Sequence, residues 1–111
     1  MNIQRFNNDT RAAQAVQAIL DLAGQNYEAG LSQLEAVSEA QRSFGADIRI
    51  RALANVWEQV EVDYQTSDFA QAVLRVANRY AQAKWWIDRQ SHTLGSFNDL
   101  DDDIEQELGN A

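Results

Sequence analysis

The sequence predicts an all-α protein: a compact antiparallel bundle of four main helices plus a short acidic C-terminal segment. Three observations point there. Proline is absent from all 111 residues, while alanine occurs 17 times and glutamine 12 times, so much favours a helix and no ring interrupts one. Apolar residues recur at spacings of three and four along four separate stretches. The connections between those stretches are short, which favours antiparallel neighbours. A chain of this length makes one domain, burying roughly two-thirds of the surface exposed when unfolded. Its 45% apolar content is enough for a core.

The first helix is read from Asp9 to Ala23, where Ala12, Val16, Ile19, Leu20 and Ala23 form one face. Asp9 or Thr10 caps its start, and Gly24 supplies the left-handed residue that commonly ends a helix. Asn26 caps a second helix to Arg42 or Ser43 with the stripe Tyr27, Leu31, Leu34 and Val37, closed by the turn Phe44-Gly45. Gly30 inside it costs up to about 1 kcal/mol relative to alanine, unless close approach by another helix offsets the loss. From Ala46 to Gln65 two patterns compete. Ile48-Arg49-Ile50-Arg51 and Val60-Glu61-Val62-Asp63 alternate like strands, but Ile50, Leu53, Trp57, Val60 and Tyr64 keep helical spacing throughout. The longer pattern prevails, giving a third helix with Asp47 as its cap.

Thr66-Ser67-Asp68 opens a fourth helix to Gln90 or Ser91, with Phe69, Val73, Val76, Tyr80, Ala83 and Ile87 in register. Leu74, Ala77, Ala81 and Trp85 widen the stripe, as for a helix with two neighbours. After a linker carrying His92 and Gly95, residues 99–111 form an acidic tail on a bundle domain of residues 1–98. Phe97, Leu100, Ile104 and Leu108 lie at helical spacing, which allows the tail a short amphipathic helix beside the alternative of a disordered end.

Charge is the most distinctive feature. Seventeen acids face nine bases, a net charge of −8. Residues 99–107 hold six of those acids and no base, which leaves the bundle near neutrality with 11 acids against 9 bases. Such a tail has three readings: a solvated end, a segment docked in an apolar groove of its own bundle, or one docked on a partner with a basic surface. Asp99, Asp101 and Asp103 alternate like calcium ligands, but Ile104 and Asn110 stand where an EF-hand needs glycine and glutamate.

Eight of the nine basic residues are arginine, the side chain suited to bidentate carboxylate or phosphate pairing. Arg75, Arg79 and Arg89 on the fourth helix form a strip that is either an ordinary solvated face or a phosphate contact. The acidic tail could also fold over this strip and screen it. In Trp85-Trp86, Trp86 is either a core anchor or an exposed interface hot spot.

The parts of an active site are missing. Cysteine is absent, excluding a disulfide framework, a thiolate zinc site and a cysteine nucleophile. No HExxH motif, glycine-rich phosphate loop or helix-borne Glu-x-x-His occurs, and Ser91-His92 lacks an orienting acid. No cofactor is expected. The opening residues hold no signal-like apolar stretch, and the longest apolar run, Ala12 to Leu20, is about half a membrane span. A cytoplasmic protein, of a cell or of a virus-infected host, is expected. Leu20-x2-Ala23-Gly24-x2-Tyr27 resembles part of a tetratricopeptide signature, but its nearest echo, at Asp68-Phe69, misses the period of about 34 residues that the repeat requires.

The expected function is therefore a small non-enzymatic protein–protein interaction module: an adaptor, an assembly subunit or an inhibitor, phage-type in its sharpest form. Its contacts would be Trp86, Phe97, Leu100, Asp101, Asp102, Asp103, Ile104 and Leu108. The alternative is a helical subunit of a nucleic-acid-handling complex, touching phosphates through Arg75, Arg79 and Arg89. A homodimer is compatible with both, and neither involves a membrane.

Overall fold

Gly24 shows how closely local chemistry is obeyed. In the computed structural model, which describes residues 10–90 and 98–109, it has φ +74° and ends helix α1, Thr10–Ala23. Its N–H donates to the Asp21 carbonyl at 3.1 Å, and the Gln25 N–H donates to the Leu20 carbonyl at 2.9 Å. These are the two bonds of a Schellman cap. The face of α1 is as expected, with Val16, Ile19 and Leu20 buried.

The second expected helix is different. Asn26 does cap it, accepting from the Ala29 N–H at 2.8 Å, but α2 is a single turn, Tyr27–Gly30. From Leu31 the chain is extended, held by bonds to distant residues. Glu35 receives the Ala81 carbonyl at its N–H (2.8 Å) and offers its own carbonyl to the Ala83 N–H (2.9 Å), an isolated parallel bridge. Asn78 donates to the Gly30 carbonyl and accepts from the Ser32 N–H. Leu31 and Leu34 still reach the core, whereas Val37 is 92% exposed. Ser38 then caps α3, Glu39–Gln59, by accepting from the Gln41 N–H, while the Gln41 side chain accepts from the Val37 N–H. The expected turn at Phe44-Gly45 is helix interior, and Asp47, the expected cap, lies inside the helix, eight residues past its first. Gly45 is there because the backbone at Ala83 comes close: a Cβ on it would stand 2.7 Å from that of Ala83. After Gln59 the chain makes a 3-10 turn at Val62–Tyr64 with both end residues exposed, so the third helix stops short of Tyr64.

Thr66 caps α4, Ser67–Arg79, by accepting from the Phe69 N–H. The expected long helix is broken over residues 80–82, where the bridge to Glu35 replaces helical bonds, and it resumes as α5, Ala83–Gln90. The last helix, α6, is Asn98–Gly109. Among the described residues there are thus six helices and no strand, an all-α chain. The main packing runs α5 on α3, α3 on α1, α1 on α4 and α4 on α6. The fourth stretch does serve two neighbours, with α1 on one side of α4 and α6 on the other. Among the described residues no helix is long and apolar enough to cross a membrane.

Candidate interaction face on the acidic C-terminal helix

Leu100, Ile104 and Leu108 recur every four residues, so they make one stripe along α6. Leu100 is fully buried and Ile104 is 2% exposed, while Leu108 packs partly buried against the same core. The groove that takes this amphipathic helix belongs to the protein's own α4. Beside the stripe, Asp103 and Glu107 also face α4. Arg75 and Arg79 stand one turn apart on that helix, so one carboxylate accepts from both. Arg75 Nε donates to Glu107 Oε1 and Arg79 Nη2 to Glu107 Oε2, each at 2.8 Å. The hydrogen bond from Arg75, seconded by that from Arg79, holds the Glu107 carboxyl below the ordinary glutamate range. The Tyr80 hydroxyl donates to the Asp103 carboxylate, and that bond pushes its pKa above the usual tyrosine value.

Three other carboxylates, Asp101, Asp102 and Glu105, point away from these contacts. Asp102 and Glu105 are exposed, with Asp101 partly buried between the two sides. Burial raises the Asp101 pKa, and the negative charges of Asp102 and Glu105 add to the effect. The described acids of α6 are therefore of two kinds: an inward pair, Glu107 ion-paired with Arg75 and Arg79 and Asp103 hydrogen-bonded by Tyr80, and an outward group whose members repel one another.

Several expected contact residues are placed elsewhere than at a surface. Trp86 is fully buried, and its indole N–H donates to the Tyr80 carbonyl at 2.9 Å, satisfying an acceptor at the end of α4. That corrects the hot-spot reading: Trp86 is a core anchor. Leu100 and Ile104 are corrected likewise, because their surface is spent on the chain's own core. Phe97 and His92 lie outside the described residues. Of the expected contacts, Asp102 remains on the surface, and Asp101 and Leu108 remain in part.

The arginine strip is also redrawn. The break after Arg79 puts Arg89 on α5, where its guanidinium lies over the Trp85 ring at 3.9 Å. Trp85 in turn stacks on Tyr80, with centroids 3.8 Å apart and planes within 13°. Arg75 and Arg79 stay half-exposed with Glu107 across them, so the tail does lie over the strip.

Three residues of this region were not singled out by spacing alone. Tyr80 falls in the apolar stripe by its spacing, though its phenol is what reaches Asp103. Glu107 is one charge among six in the tail by composition; its place three residues after Ile104 and four after Asp103 is the sign that it shares their side of the helix. Asn78, on the same helix as Arg75 and Arg79, spends its amide internally, on the Gly30 carbonyl and the Ser32 N–H. In comparisons with known proteins, no family model matches this chain, and neither a curated protein nor a solved structure shows significant similarity to it.

Proposed function

We propose that this chain is a small non-enzymatic protein–protein interaction module, an adaptor, assembly subunit or inhibitor, that presents the outward acidic face of α6 to a basic surface on another protein. The observation that carries this reading is the division of labour on α6. Its apolar stripe and Glu107 anchor the helix to α4, leaving Asp101, Asp102 and Glu105 in fixed positions toward solvent. Fixed like charges steer a complementary partner and lose little freedom on binding. A cytoplasmic setting, in a cell or in a virus-infected host, goes with this proposal.

The test is affinity capture from the native host lysate at low ionic strength, with the double variant Asp102→Asn/Glu105→Gln beside the unaltered protein. Both substitutions are on the exposed side, so the fold persists. The expected result is a basic protein that elutes with salt and is missing from the variant's capture. Equal capture by both proteins would refute the reading.

The alternative, phosphate contact through Arg75 and Arg79, keeps one supporting observation: both guanidiniums stay half-exposed beneath a single carboxylate. Under it, Glu107→Gln strengthens salt-sensitive DNA binding. Absence of binding by either protein at low salt disposes of it.

A further inference from the structure

A groove of about 490 Å³ opens between α2, the extended segment after it and α3. Leu31 and Leu34, each 2% exposed, form its floor. Arg42, Ala46 and Arg49, spaced four and three residues along one face of α3, form a wall, and the half-exposed Tyr27 ring stands at the mouth. The groove shares no residue with the α6 face.

Arg49 is what makes it more than a surface depression. It is 2% exposed, the one buried charged side chain among the described residues. Its Nη1 donates to the Ser32 carbonyl at 2.9 Å, and the Tyr27 phenol lies against the guanidinium. Its Nε–H has no hydrogen-bond partner, and no carboxylate among the described residues pairs with it. Burial draws its pKa below the ordinary arginine value, yet an arginine stays protonated. A buried cation lacking both a counterion and one hydrogen bond is costly to the fold. Arg42 differs: it pairs with Glu39 at 2.5 Å and donates to the Leu34 carbonyl at 2.9 Å.

We infer that this groove is a binding site for a small monovalent carboxylate on an apolar body, an aliphatic or aromatic acid, with Arg49 as its counterion. The planar guanidinium of Arg49, which lines the groove, matches a planar carboxylate. Two rim carboxylates, Glu28 and Glu39, repel a more highly charged anion, which selects against phosphate esters. The leucine floor takes the apolar body, Tyr27 covers it, and the volume lies in the range of small-ligand sites.

The test uses the full chain labelled with nitrogen-15 and follows the Arg49 Nε–H resonance, identified by its absence in Arg49→Met. Hexanoate, benzoate, hexanol and inorganic phosphate are titrated at neutral pH. The expected result is a saturable downfield shift with hexanoate or benzoate in the millimolar range, accompanied by a raised melting temperature. Hexanol and phosphate leave the resonance in place, and Arg49→Met loses the thermal response. No saturable shift with either acid overturns the inference, as does an equal response to hexanol or to phosphate. Should Arg49→Met fail to fold, Arg49→Lys, which keeps the charge and removes the Nε–H, supplies the assignment, and the contrast of hexanoate with hexanol on the unaltered protein decides.

Discussion

Leu100→Ala should release α6 while the other helices keep their structure. The magnitude follows from how α6 is attached. Its main neighbour is α4, and its seam consists of two fully buried aliphatic side chains plus part of Leu108. Burying a leucine or isoleucine contributes about 1.5–3 kcal/mol, so the seam supplies somewhat more than about 3–6 kcal/mol before ordering costs. The ion pairs of Glu107 are open to water and add little. A free helix of 12 residues is marginal in water, so the helix itself depends on the seam. Truncating a buried leucine costs about 2–5 kcal/mol, most of what the seam provides. Residue-resolved amide exchange is the assay. Amides of 98–109 should lose protection while those in the interior of α1 and α3 keep theirs, and the exposed control Gln106→Ala should change neither. A uniform loss across α1, α3 and α6 would refute the reasoning, since α6 would then belong to the same cooperative unit. Unchanged protection of α6 would refute it from the other side.

Gly45→Ala should lower stability by about 1–2 kcal/mol although alanine is the better helix former by about 1 kcal/mol, because overpacking costs more. The added methyl would face Ala83 backbone and side-chain atoms at 2.7–3.1 Å, so α3 and α5 must part; a raised melting temperature would contradict that spacing. Asn78→Ala should cost about 1–3 kcal/mol in urea unfolding, by stranding the Gly30 carbonyl and the Ser32 N–H, and an unchanged midpoint would show water replacing the amide. The docking of α6 should weaken at both ends of the pH range. Glu107, with its pKa depressed, stabilises above the ordinary glutamate value of about 4.3, and its contribution is lost as pH falls through the lowered folded value. Tyr80, with its pKa raised, stabilises below the ordinary tyrosine value of about 10, and its contribution is lost as pH rises through the folded value. Ultraviolet titration should show one late tyrosine that Tyr80→Phe removes, and Glu107→Gln should flatten the acid limb.

What was legible in the sequence is what neighbours in the chain decide between themselves. Asn26 and Thr66 cap helices because their side chains reach an N–H three residues on, and Gly24 ends α1 through bonds within a single turn. The breaks at residues 31–38 and 80–82 are another matter. Tyr80-Ala81-Gln82 contains nothing hostile to a helix; it is opened because the Ala81 carbonyl and the Ala83 N–H both pair with Glu35. Each break thus exists because of the other, and no local window contains both. One sign was present: Ser38 with Gln41 three residues later is a capping pair, and it marks where α3 begins. Gly45 carried no such sign, since a glycine that closes a turn and one that admits a neighbouring helix are the same letter.

The site was half legible for a related reason. Spacing alone reveals the stripe of Leu100, Ile104 and Leu108, but not whose groove receives it. That depends on Arg75 and Arg79 facing α6, which goes with the packing of α4 on α1. Once α6 is docked, its five described carboxylates cease to be one charge. Glu107 and Asp103 are bound inward, so a partner that competes for them must also expose Leu100 and Ile104 to water, at a cost comparable to the seam itself. A partner that approaches Asp102 and Glu105 disturbs nothing. The outward face is therefore the one that can bind without unfolding anything, and the neutralising pair Asp102→Asn/Glu105→Gln separates the two routes, because it removes the first target and leaves the seam intact.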